Sequence, residues 1–152
     1  MNTLETIIPL ALSLALGLLI GVERGWHERE KAEGKRVAGV RTFGLLGFLG
    51  GFVGLLADET HFIVIGLGFL SVAVALVAGY VINARQGADI GITSLIAGLL
   101  TFGFGVAATQ GYVAEASIAA VVTALLLGYK SLVHRWVSAL EPDEVRGALK
   151  LL

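Results

Sequence analysis

The stretch GLLIGVERGWHERE, Gly17 to Glu30, decides how this chain is read. Fourteen residues of nearly pure hydrocarbon, Ile7 to Ile20, lead through Gly21 and Val22 directly into Glu23 and Arg24. A second apolar run opens the same way, with Arg41 and Thr42 inside AGVRTFGLLGF, Ala38 to Phe48. Acids and bases set at the edges of such runs point to the boundary of a membrane.

The composition agrees. The 152 residues are 56% hydrophobic and 15% charged, with a mean hydropathy of +0.84. Soluble domains carry about 25% charged residues. A helix crossing a bilayer needs about 20 mostly apolar residues, and the chain offers such runs at Leu4–Val22, Val40–Ala57, His61–Ile82, Ile90–Thr109 and Tyr112–Tyr129. The breaks between them are ERGWHEREKAEGKRVAG, DETH, NARQGAD and TQGY, polar or glycine-containing throughout. Each run is apolar around its whole circumference, which in water suits only a buried helix. Nothing in this chain could bury so many. The expected fold is all-α, a polytopic membrane bundle of about five transmembrane helices. It fills residues 1–129. Residues 130–152 are read as a cytoplasmic-side amphipathic tail and the start of a further helix.

Orientation follows from the basic residues. All eleven lysines and arginines fall in 23–41, in 83–90 or after Tyr129. The N-terminal segment, 58–61 and 110–115 carry acids only, Glu5, Asp58, Glu59 and Glu115. The positive-inside rule then sets the N-terminus outside and the C-terminus inside. A signal peptide would need a basic n-region, whereas the first 22 residues hold Glu5 and no base. The first run is therefore expected to be a retained span. Cysteine is absent, which excludes a disulfide framework and thiolate chemistry.

Two features inside the spans stand out. Gly44, Gly47, Gly51 and Gly54 recur three, four and three residues apart, and Gly17 and Gly21 make a GxxxG step. Such stripes let helix backbones approach closely, within one subunit, across a dimer seam or along a glycine-lined passage. The second feature is the set Glu23, Arg24, Arg41 and Thr42, expected at the inner ends of the first two spans. Ionisable groups within a bilayer are costly and find partners, and Glu23 is the acid nearest Arg41 in this reading. A Glu23–Arg41 pair closing the hairpin, a mouth that binds or gates a solute, and snorkelling at the interface all fit the sequence.

GLLIGVERG followed by AGVRTFGLLGFLGG resembles the N-terminal signature of the MgtC/SapB membrane-protein family. That signature is an apolar span ending in G-x-x-x-G-x-E-R, a charged loop, then A-G-x-R-T opening a glycine-rich span. GITSLIAGLLTFGFG and LVHRWVSALEPDEVRGALKLL resemble the junction in longer members, where a second membrane domain follows. The small soluble C-terminal domain of compact members has no counterpart here, and the chain is expected to be a fragment or a truncated member. The resemblance implies a multi-pass bacterial inner-membrane protein, non-enzymatic and linked to Mg²⁺ homeostasis or low-Mg²⁺ adaptation. It would act as a membrane regulator or partner-binding subunit. The alternative is a transporter or channel for an inorganic ion or small solute, using the Glu23/Arg41 mouth and the glycine-rich second helix.

The remaining residues narrow the chemistry. No span interior contains Asp or Glu, so nothing resembles the oxygen-rich octahedral site that Mg²⁺ demands. His27 and His134 are expected inside and His61 outside, too far apart for one site. Trp26 and Trp136 suit aromatic anchors near the inner boundary. In the tail, Lys130 to Leu140 is amphipathic and suits a helix that continues the fifth span or lies on the anionic inner leaflet. No phosphate loop, zinc motif or nucleophile elbow is present. Neither a catalytic residue nor a metal ligand nor a cofactor is expected. The expected partners are the lipid bilayer, other membrane proteins and further copies of the chain, with no role for nucleic acid.

Overall fold

The apolar runs become helices because a helix satisfies every backbone hydrogen bond within itself. The computed structural model describes residues 3–27, 38–57, 62–85 and 91–129. These form α1 (Thr3–His27), α2 (Val40–Leu56), α3 (Phe62–Arg85), α4 (Ile92–Thr109) and α5 (Val113–Gly128), and no strand occurs among them. The chain is all-α. Three helices, α1, α3 and α4, are long and apolar enough to cross a membrane, while α2 and α5 are apolar but shorter, at 17 and 16 residues. The predicted first run ends at Val22, yet α1 continues through Glu23 and Arg24 to His27. The tail assigned to 130–152 lies outside the described residues.

Successive helices run in opposite directions, and α2 is wedged between α1 and α4. The glycines make this possible. A Cβ on Gly17 would strike the Phe43 carbonyl, and one on Gly47 the Ser13 carbonyl. On Gly21 it would lie 2.8 Å from the Val40 backbone, and on Gly51 it would lie 2.7 Å from Ser13 Cβ. The other side of α2 meets α4 as closely. A Cβ on Gly50 would run into the Phe102 carbonyl, and one on Gly105 would stand 2.7 Å from the Gly51 nitrogen. Gly54 faces the Thr109 hydroxyl and Val106. One of the glycines named from the sequence, Gly44, instead meets the flexible end of Leu18.

Polar groups inside this wedge are paired. Ser13 Oγ lies 2.8 Å from the Pro9 carbonyl oxygen and 3.1 Å from that of Gly105, so its proton bonds within α1 and across to α4. Thr101, also fully buried, donates back to Ala97 at 2.7 Å. Every buried side-chain nitrogen and oxygen among the described residues has a partner. Phe43, Phe102 and Ile20 are the largest fully buried apolar side chains, and all three lie on the α1–α2–α4 unit.

Two helix ends are sealed where α4 turns into α5. Gly111 adopts φ +94°, and the Tyr112 N–H donates to the Ala107 carbonyl at 3.0 Å. This is a Schellman closure, for which glycine carries no Cβ penalty. The neighbouring Gln110 amide donates to the carbonyls of Gly54 (2.6 Å) and Ala57 (3.0 Å), capping the end of α2. By contrast α3 sits at the edge. Val72 is its buried residue, and Phe69 meets Phe102 edge-on with centroids 6.1 Å apart.

The two kinds of glycine should behave oppositely. Gly47→Ala and Gly50→Ala push a methyl into a neighbouring backbone, and overpacking costs about 1–3 kcal/mol. Gly66 and Gly79 of α3 have no atom within 4 Å of a built Cβ. Gly66→Ala and Gly79→Ala should therefore keep or raise stability, by up to about 1 kcal/mol from helix propensity. Thermal melting in one detergent compares all four; equal melting of Gly47→Ala and Gly66→Ala would refute the wedge.

Candidate functional site

The polar cluster lies at one end of the bundle, where α1 and α5 finish and α2 begins. Gly21 against Val40 brings the end of α1 beside the start of α2. Arg24 brings in the end of α5, its Nη2 donating to the Leu127 carbonyl at 3.2 Å. The carbonyls of a last helical turn have no partner within the helix, and the helix dipole favours a cation there. Arg24 serves both needs at once.

Burial of a guanidinium requires a counter-charge, and Glu23 supplies it. Arg24 Nε donates to Glu23 Oε2 at 2.6 Å and Nη2 donates to Oε1 at 3.0 Å, a two-pronged bond. The side chains of Arg24 and Glu23 are 7% and 14% exposed. Such fork-to-fork pairs are short and directional. Glu23 also reaches toward α5, where a Cβ on Gly128 would stand 3.7 Å from its Oε1.

The predicted Glu23–Arg41 pair does not form. Glu23 pairs with the residue next to it, and Arg41 is exposed on α2. The reason is the rotational register of α2. Val40 and Phe43 are the positions packed on α1. Residues advance about 100° per position on a helix, so Arg41 lies about 100° from Val40 and about 160° from Phe43. Its side chain leaves on another face. Thr42 is likewise exposed and lines a groove between α2 and α3. The structure thus joins Glu23 to Arg24 and separates both from Arg41 and Thr42.

Glu23 aside, the charges of the described residues sort by end. Arg24, Arg41 and Arg85 fall at the end where α1, α3 and α5 finish, whereas Glu5 and Glu115 fall at the opposite end. Among the described residues, no three His, Cys, Asp or Glu side chains come together as a metal site. Glu23 is engaged by Arg24 and offers no oxygen-rich cage for Mg²⁺.

The model of the MgtC family matches residues 10–136, which include every residue of this cluster. The chain belongs to the MgtC family. No curated protein and no solved structure matches it. With its apolar helices of spanning length, the chain is a membrane protein of the MgtC type, linked to Mg²⁺ adaptation. In this MgtC-family chain the E-R of the first motif is an ion pair in itself, and the G-x-x-x-G before it is the seat for α2.

Several residues that build the site and the bundle that carries it escape the sequence reading. The Leu127 carbonyl is backbone and has no signature. Gly50 and Gly105 hold α2 to α4, and the doublet Gly50-Gly51 was the available signal that two faces of α2 are in use. Ser13 gives none beyond being polar in an apolar run, and Gln110 none beyond standing in the TQGY break.

Breaking one member of a buried ion pair costs about 3–5 kcal/mol in soluble proteins, while replacing both can be nearly neutral. Glu23→Gln and Arg24→Gln should each lower the melting temperature of the detergent-purified protein, and the double variant should recover part of the loss. Arg41→Gln should leave it unchanged within about 0.5 kcal/mol, as for surface positions. Additive losses for Glu23 and Arg24, measured as a double-mutant cycle, would mean that the pair carries no coupling.

Proposed function

We propose that this chain is a multi-pass protein of the bacterial inner membrane that acts in low-Mg²⁺ adaptation as a non-enzymatic regulator, binding other membrane proteins. One observation carries the reading: the glycine stripe of α2 is filled by backbone and side-chain atoms of α1 and α4. A conduit along that stripe would need the space those atoms occupy. The polar groups point the same way, since Arg24, Ser13 and Gln110 tie helices together and Glu23 spends its oxygens on Arg24. A solute site would instead hold polar groups in reserve for its ligand.

The basic end faces the cytoplasm in this proposal. Its support is the separation of Arg24, Arg41 and Arg85 from Glu5 and Glu115. Cysteine placed at Tyr112 should react with an impermeant thiol reagent in intact cells, and cysteine at Tyr129 only after permeabilisation. The reverse pattern would invert the orientation.

The functional reading is tested in a bacterium lacking its own protein of this type. Expression of the chain should restore growth in low Mg²⁺ without raising the rate of Mg²⁺ uptake. Purified protein in liposomes should pass no more Mg²⁺ or phosphate than protein-free liposomes. Growth restored in step with uptake, or flux that Gly47→Leu abolishes, would transfer the case to a transporter.

A further inference from the structure

α3 is attached to the bundle differently from every other helix. α2 meets α1 and α4 backbone to backbone, Ser13 bonds α1 to α4, Gln110 bonds α4 to α2, and Arg24 bonds α1 to α5. Among the described residues, no hydrogen bond or ion pair joins α3 to another helix. Ser71 and Asn83 bond to α3 itself, donating to the Leu67 and Gly79 carbonyls, both at 2.8 Å. Even the glycines at its seat make contacts of another kind. A Cβ on Gly68 would lie 3.1 Å from Val53 Cγ1, and one on Gly98 of α4 would lie 2.9 Å from Leu76 Cδ1. These are the ends of side chains, where the glycines of α2 meet mostly backbone. Val72 is the one residue of α3's 24 that is buried. Space stands open on both flanks, about 280 Å³ toward α4 beside Phe62 and Tyr112 and about 370 Å³ toward α2 beside Thr42 and Leu76.

A seat built of apolar side-chain contacts holds well in water and poorly in a bilayer. Acyl chains give an apolar side chain as good a partner as another helix does, so helices stay together through close backbone approach and interhelical hydrogen bonds. α3 has neither. Elements with few buried contacts lie at the low end of a protein's local opening free energies. We propose that α3 is a laterally mobile arm with two positions, docked on Val53, Gly98 and Phe102 as in this structure, and swung out with acyl chains filling the space it leaves. Swinging out uncovers Phe102, whose ring is fully buried when docked and meets Phe69 edge-on. The other four helices keep their places. The device stands on packing alone and does not depend on the regulatory reading above.

Pulsed electron spin resonance on the full chain in lipid nanodiscs tests it, since a chain without cysteine accepts spin labels at chosen pairs. Val22→Cys with Ile96→Cys spans α1 and α4, and Val22→Cys with Ile82→Cys spans α1 and α3, all at exposed positions. The first pair should give one narrow distance distribution and the second a broad or two-peaked one. Phe69→Ala removes the edge-on ring contact, and Phe69 is partly exposed, so the bundle should still fold. It should raise the swung-out fraction about two- to tenfold, the worth of one edge-to-face pair. The Val22–Ile96 distance should stay unchanged in that variant. A disulfide between Gly68→Cys and Val53→Cys, closed before labelling, should collapse the Val22–Ile82 distribution to one narrow peak. Equal widths for the two pairs, breadth that outlasts the disulfide, a disulfide that does not close, or an unaltered distribution in Phe69→Ala would each overturn the arm.

Discussion

Everything in this bundle rests on how closely three backbones approach one another. In lipid the hydrophobic effect does not press helices together, so association relies on van der Waals contact and on hydrogen bonds between helices. Gly17, Gly47, Gly51 and Gly105 strip away side chains where α1, α2 and α4 meet, and backbone atoms then touch backbone atoms. Ser13 adds the polar element, its hydroxyl reaching the Gly105 carbonyl through the gap that the glycines open. Without that approach neither Gln110 nor Arg24 would be within reach of the helix end it caps.

The two caps sit at opposite ends and solve the same problem with different chemistry. Gln110, neutral, satisfies carbonyls at the end of α2, and Arg24, charged, satisfies one at the end of α5. The charged cap obliges a second residue to neutralise it, which is why Glu23 is found beside it, largely buried. An acid and a base adjacent in sequence at the edge of an apolar run are thus one neutral unit. They enter the low-dielectric zone together, at a smaller desolvation penalty than either alone.

Much of this was legible because membrane solvent imposes a crude code. Apolar runs separated by polar breaks became helices whose ends agree within a few residues. The exception, α1 running on to His27, follows from a need that hydropathy does not record: Arg24 must be helical to reach Leu127. What could not be read was rotation. Whether Glu23 meets Arg24 or Arg41 depends on which way α2 turns about its own axis, and that is decided by Val40 and Phe43 seating on α1. The glycine spacing marked a smooth face, but not that α2 has a second one, which carries Gly50 against α4. A backbone carbonyl such as that of Leu127 leaves no trace in a sequence at all.

The unequal lengths of the helices carry a mechanical implication. At 1.5 Å per residue, α1 and α3 extend about 36–37 Å, but α2 only about 25 Å, from 25, 24 and 17 residues respectively. In the proposed bilayer setting the long helices tilt or protrude, while the exposed flank of α2 (Leu45, Phe48 and Phe52) is shorter than the hydrocarbon it faces. Hydrophobic mismatch of this kind thins the surrounding lipid at a modest cost per ångström. The dimple forms on the side of the bundle where Arg41 stands. Headgroups and water are drawn down to a side chain that would otherwise have to climb to meet them.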